Sequence, residues 1–289
     1  MVTLSVGNAT FINLVGHGLT IDAAREIAPG ISVSPDAPTN NTSFGSNTMG
    51  ELRESLNVMA MEPLADFSLR IAEPHGGKAL AAKAWNALWV FHLLALACRR
   101  PVMSLYCAAD HGTRFTLANR NLVIHRLPSV APASVTDLDW AVAHFYAFDD
   151  LLKVNRFQNA VRCYGNAHYL IDNDAKIMLL WAGIEGLLDI DSELRRRIAL
   201  HAAILLDGTS EEKAIYFARI KKGYDVRSRV VHGSGAASED LRRGYALASE
   251  VLLTLLRKCV ELRRVPSAAE LDELAASASL STPSGDSES

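Results

Sequence analysis

Hydrophobic and polar positions change their period near residue 130. Before that point short apolar runs are punctuated by turn residues. Strands are predicted at Thr3 to Val6, Ile31 to Ser34, Phe67 to Ala72, Val102 to Ala108 and Phe115 to His125. Between them lie a short helix near Ile21 to Ile27 and a long one from Lys78 to Arg99, with Trp85, Trp89 and Leu93 at helical spacing as its expected core face. The stretch Pro35 to Gly50, rich in Pro, Asn, Thr, Ser and Gly, reads as a loop. From Asp137 onward apolar residues recur every three or four positions. That predicts helices from Thr136 to about Lys153, from Arg156 to about Leu170, from Asn173 or Asp174 through Leu188, and from Ser192 to Leu206. Thr209 and Glu212 make a capping-box pattern that opens a fifth helix, the Arg/His helix follows it, and Ser238 to Arg264 forms the last long helix. Beyond Pro266 the Ser, Ala and Glu content leaves little to bury, so the end reads as disordered. The expected fold is mainly α: a helical bundle over 131–265, preceded by a smaller mixed α/β region over 1–130 and followed by a disordered tail over 266–289.

Composition narrows the class. The chain has 289 residues, of which 49% are hydrophobic, enough for one sizeable core in two parts. A net charge of −3 means that any nucleic-acid contact must rest on a local basic patch. The apolar run Ala79 to Cys98 is interrupted by Lys83, Asn86 and His92, which predicts a core helix and not a membrane span. Cys98, Cys107, Cys163 and Cys259 are scattered, with no C-x-x-C, as expected of reduced thiols in a cytoplasmic protein without a zinc site. No G-x-S-x-G, P-loop, G-x-G-x-x-G or H-E-x-x-H motif is present, which argues against a serine hydrolase, a nucleotide enzyme and a zinc protease.

The candidate chemistry sits in Tyr224-Asp-Val-Arg-Ser-Arg-Val-Val-His-Gly233. A permanently charged guanidinium (Arg227), a hydroxyl (Ser228) and an imidazole (His232) fall within two helical turns, a set able to hold a phosphate and move a proton beside it. Gly233 and Gly235 should stop the helix and leave His232 at its carbonyl end, where the dipole favours the imidazolium. Spacing alone does not single out this pair. With 21 Arg and 9 His, roughly one Arg-x4-His pair arises by chance, and four occur: Arg70/His75, Arg120/His125, Arg196/His201 and Arg227/His232. Pro74 breaks the first. Arg120/His125 lies in a strand-like run with an Asn beside the Arg and is kept in reserve. His201 falls in an apolar helix face, as a core histidine would. Only Arg227/His232 combines a helix, the basic pair Lys221-Lys222 and a glycine stop. Five residues at about 100° leave Arg227 and His232 roughly 140° apart on an ideal helix, whereas Ser228 and His232 share a face.

Tyr-Asp-x-Arg-Ser-x-x-Val-His-Gly, preceded by Lys176-Ile-Met-Leu-Leu-Trp-Ala-Gly-Ile-Glu185-Gly-Leu-Leu188, resembles the HEPN superfamily, and more narrowly the ApeA-like HEPN group of prokaryotic anti-phage defence proteins. The similarity covers roughly residues 138 to 264. It implies a HEPN-type bundle that forms a homodimer, and a metal-independent endoribonuclease site with Arg227 and His232 as catalytic residues and Ser228 in the small polar position, where many members carry Asn or Asp. It also implies RNA as substrate and a toxin-like or defence role, with a neutralising partner protein or a phage-derived trigger. Members without activity leave open a silent module that binds RNA or serves as a dimerising sensor or scaffold.

Other residues are assigned supporting parts. Tyr224 packs or stacks a base, and Lys221, Lys222 and Arg229 add phosphate affinity. Glu185 lies in an apolar helix and is expected to pair with an arginine, Arg227 being one candidate, and so to fix the site. Arg195-Arg196-Arg197 stand against the dipole at a helix start, facing solvent, RNA or acidic groups. No cofactor or metal is called for.

Overall fold

The computed structural model describes residues 9–38, 56–108, 127, 130–233 and 237–280. The expected strands Thr3 to Val6 and Phe115 to His125, with the reserve pair Arg120/His125, lie outside them. The chain is mostly helical with a small sheet near its start, and it divides into two compact units, Met1–Tyr146 and Ala147–Ser289. The division therefore falls inside a helix and not at residue 130.

The first unit is built on a five-stranded antiparallel sheet in the order β3-β4-β5-β1-β6, with β1 Phe11–His17, β3 Arg25–Ala28, β4 Ile31–Ser34, β5 Phe67–Ala72 and β6 Met103–Ala108. Two-residue β2 (Leu19–Thr20) and β7 (Ala131–Pro132) pair in parallel beside it. The strands β4, β5 and β6 fall where alternation placed them. The interior strand β1 had no such signal, because Phe-Ile-Asn-Leu-Val-Gly-His is largely buried on both faces. The helix expected over Ile21 to Ile27 is instead strand β3. Gly30, at φ +70°, turns the chain so that Arg25 pairs with Val33 and Ile27 is buried. Sheet pairing overrides helix propensity here.

The helix expected over Lys78 to Arg99 is two pieces, α1 (Gly77–Ala87) and α2 (Val90–Cys98). At the join the Leu88 and Trp89 N–H groups bond three residues back, to Trp85 and Asn86. Among the described residues Gly77–Cys98 is the one helical stretch long and apolar enough to cross a membrane, but α2 is buried at every apolar position inside this unit. Leu93 is core as expected, while Trp85 is half exposed, which corrects its assignment to the core. A buried His17 fastens the sheet: the Leu127 N–H donates to Nε2 at 3.0 Å, so Nδ1 carries the proton given to Asp66 at 2.6 Å.

Helix α3 (Val135–Leu151) starts on a Ser134/Asp137 cap and spans the division between the units. The second unit continues with α4 (Asn155–Ala167), α5 (Asn173–Leu188), α6 (Leu194–Leu205), α7 (Ser210–Val231), α8 (Ser238–Leu262) and α9 (Ala268–Leu280). α5 runs through the middle, packed on α4, α8, α7 and α6. Its Ile177, Leu180, Trp181, Ile184 and Leu188 are buried, while Met178 on the other side is exposed. Gly183 lets α4 and α8 close in; a Cβ there would meet Cys163 Cβ and Leu252 Cδ2 at 2.8 Å. The capping box at Thr209 and Glu212 is present, but the fifth helix and the Arg/His helix are one, running unbroken from Ser210 to Val231.

The tail expected to be disordered from residue 266 is helical as far as Leu280; residues 281–289 lie outside the description. Three local features order it. Ser267 and Glu270 cap α9 reciprocally, Leu271 is fully buried, and Asp272 takes hydrogen bonds of 2.8 Å from both Arg197 and His201 on α6. Composition alone hides such anchors.

Candidate functional site

Helix α7 ends where the sequence places its chemistry. The His232 N–H bonds the Ser228 carbonyl at 3.1 Å, and Gly233, at φ +66°, takes the left-handed turn that stops the helix. His232 is the C-cap residue, with its ring exposed at the carbonyl end.

One turn earlier the helix meets α5. Tyr224 is buried edge-on against Trp181, with ring centroids 5.3 Å apart, so it packs as well as facing the site. The Arg227 guanidinium lies 5.3 Å from the Tyr224 ring centroid and reaches Glu185 at 3.0 Å. The Tyr224 hydroxyl also favours the charged form of Glu185. Arginine and tyrosine from α7 and the carboxylate from α5 thus form one cluster. The expected Glu185–Arg227 pair is present.

Burial pushes the Glu185 carboxyl above its ordinary range, against the pull of Arg227 and of the Tyr224 hydroxyl. Tyr224 is also raised, first by burial and then by the Glu185 charge. The arginine keeps about a quarter of its side chain exposed.

Two further charged pairs hold the same segment. Asp225 takes a two-pronged bond from Arg195 on α6, at 2.6 and 2.7 Å. Arg229 reaches Asp240 in the first turn of α8 at 3.6 Å. Asp225 was not foreseen as a site neighbour, although the odd position of Arg195 against the α6 dipole was the signal that a carboxylate must face it. Arg196 pairs with Glu193, and Arg197 with Asp272 and Asp191, so the arginine run is spent on acidic groups.

Of the remaining predicted residues, Ser228 is half-buried, Lys221 sits 5.2 Å from the Phe217 ring centroid and Lys222 is exposed. No hydrogen bond joins Arg227 to His232 among the described residues. Arg196/His201 is set apart as expected: His201 is fully buried against Asp272. Three of the four free cysteines are buried, and burial pushes the Cys107 and Cys259 thiols up to about 12. No group of three His, Cys, Asp or Glu side chains able to hold a metal converges among the described residues. No family model, curated protein or solved structure matches this chain.

Proposed function

We propose that this chain is a cytoplasmic endoribonuclease of HEPN type that cleaves RNA without a metal and acts as a toxin-like or defence effector. The observation that carries the reading is the Glu185–Arg227 ion pair of 3.0 Å. It joins the two segments on which the resemblance rests, forty-two residues apart, through the residues that the motif selects.

In the proposed reaction the ribose 2′-oxygen attacks the adjacent phosphorus while the bond from phosphorus to the 5′-oxygen breaks. The products are a 2′,3′-cyclic phosphate and a 5′-hydroxyl end. His232, exposed at the helix end, takes the 2′-hydroxyl proton, and a second such group protonates the leaving oxygen; a homodimer would supply it from the other protomer. Arg227 neutralises the charge that builds on the phosphate oxygens. Glu185 and Tyr224 orient Arg227, and Ser228 stands one turn from His232 to orient the ring or touch the phosphate.

The test is cleavage of mixed cellular RNA in EDTA by the wild type, Arg227→Ala and His232→Ala. Cyclic-phosphate ends made by wild type alone support the reading. Equal cleavage by all three removes this site from the reaction.

One observation favours a second reading, a silent module that binds RNA or mediates dimerisation. The Arg227 charge is already balanced by Glu185, as it would be in a purely structural pin. Binding without cleavage by all three proteins is its expected result.

A further inference from the structure

Helices α7 and α8 cross closely at two glycines. A Cβ on Gly223 would stand 2.5 Å from Leu247 Cδ2, and one on Gly244 3.0 Å from Val226 Cγ1. Along this seam opens a groove of about 370 Å³. Val226, Gly244 and Leu247 form its apolar floor, and Arg219, Lys222 and Arg243 stand exposed at its rim.

The rim is more basic than the chain as a whole, which carries −3. Arg219 holds Glu250 at 2.9 Å, Arg229 holds Asp240 at 3.6 Å, and Arg243 shares Glu239 with Arg242 at 2.8 Å. Among the residues lining the groove three cations, Arg219, Lys222 and Arg243, face two carboxylates, Asp240 and Glu250, and Lys222 takes part in none of these pairs. Val226 of the floor immediately precedes Arg227 in the chain, and Asp240 of the wall pairs with Arg229. An apolar floor edged by cations that repeat along a helix suits a planar base followed by a phosphodiester.

We propose that this groove is a subsite for single-stranded RNA, seating one base on Val226 and Leu247 and the flanking phosphates at Lys222 and Arg243. The identity of the ligand rests on the endoribonuclease reading.

Binding is measured apart from cleavage, by fluorescence anisotropy of a labelled ten-nucleotide RNA carrying 2′-O-methyl groups throughout, which has no free 2′-hydroxyl to attack. The full chain is compared with Lys222→Glu/Arg243→Glu, with Ala246→Trp, which crowds the exposed edge of the groove, and with Lys78→Glu/Lys153→Glu, which makes the same charge change elsewhere. Circular dichroism melting confirms that each is folded. The groove double variant should bind at least tenfold more weakly, and its log–log salt dependence should be shallower by about 1.4 for two lost phosphate contacts. Ala246→Trp should weaken binding several-fold with the salt slope unchanged, and the control pair should stay within about twofold of wild type.

Groove variants that bind as wild type overturn the subsite and leave the nuclease reading standing. RNA that binds in the groove but remains uncut, as unmodified strand, in EDTA removes the nuclease and keeps the subsite. Absence of wild-type binding at low salt, or equal displacement per charge by polyglutamate, overturns the subsite, the latter assigning the groove to an acidic polypeptide.

Discussion

Glu185 on α5 and Arg227 on α7 meet at 3.0 Å, each with about a fifth of its side chain exposed. Neither would be comfortable in that position alone. Glu185→Ala strands a half-buried guanidinium and should destabilise the fold by about 1–3 kcal/mol, read from the urea midpoint at constant slope. An unchanged midpoint would show that the pair contributes nothing to folding.

The same pair predicts a pH dependence. Burial raises the Glu185 carboxyl in the folded state, so its contribution is most favourable below the unfolded value of about 4.3 and is lost as pH rises through the folded one. Arg227 opposes that rise. Arg227→Ala should therefore lose stability relative to wild type progressively as pH rises above about 4. A gap that stays constant or narrows as pH rises contradicts the assignment.

His232 is exposed, and its helix contact is made through the backbone N–H. His232→Ala should leave the melting temperature unchanged and abolish RNA cleavage. Loss of activity accompanied by a large fall in melting temperature would instead mean a structural role.

Two glycines three residues apart on α5 should respond with opposite signs. Gly183→Ala drives a methyl into Cys163 Cβ and Leu252 at 2.8 Å, an overpacking cost of about 1–3 kcal/mol that exceeds the ~1 kcal/mol helix preference for alanine. Gly186→Ala meets nothing within 4 Å and should stabilise by about 0.5–1 kcal/mol. Thermal melts of the two variants check both signs.

Helix α9 is held by Leu271 and by the Asp272 bonds to His201 and Arg197. The hydrogen bond from His201, then that from Arg197, keeps the Asp272 carboxyl below its ordinary range. Its contribution is present above about pH 4 and lost as pH falls through the lower folded value. Asp272→Asn should raise amide hydrogen exchange over 268–280 at pH 7, and acid should do the same to wild type. Uniform exchange in both proteins would mean that other contacts hold the helix.

What the sequence reveals here follows how local each signal is. β4 and β5 were legible residue for residue because apolar alternation and turn residues lie within the segments themselves. The α7 cap was legible because Thr209 and Glu212 are three apart. β1 was not, since a strand buried on both faces loses its alternation, and β3 was not, since only its pairing with β4 overrides an Ile-Asp-Ala-Ala-Arg-Glu-Ile helix pattern. In the candidate site a buried Glu185 announces a missing cation, so its pairing with Arg227 could be argued in advance. Arg195–Asp225, spanning thirty residues between two charged surfaces, had only the α6 dipole to hint at it.

Alternate residues 225, 227 and 229 bind three different helices: α6 through Arg195, α5 through Glu185 and α8 through Asp240. On an ideal helix Asp225 and Arg227 point about 200° apart, so α7 is gripped from opposite flanks. A rotation by one residue, or a slide of about 1.5 Å, would misalign these grips together. The segment that presents Arg227 and His232 is therefore fixed in one register by three helices at once, so its rotation and its slide are set together.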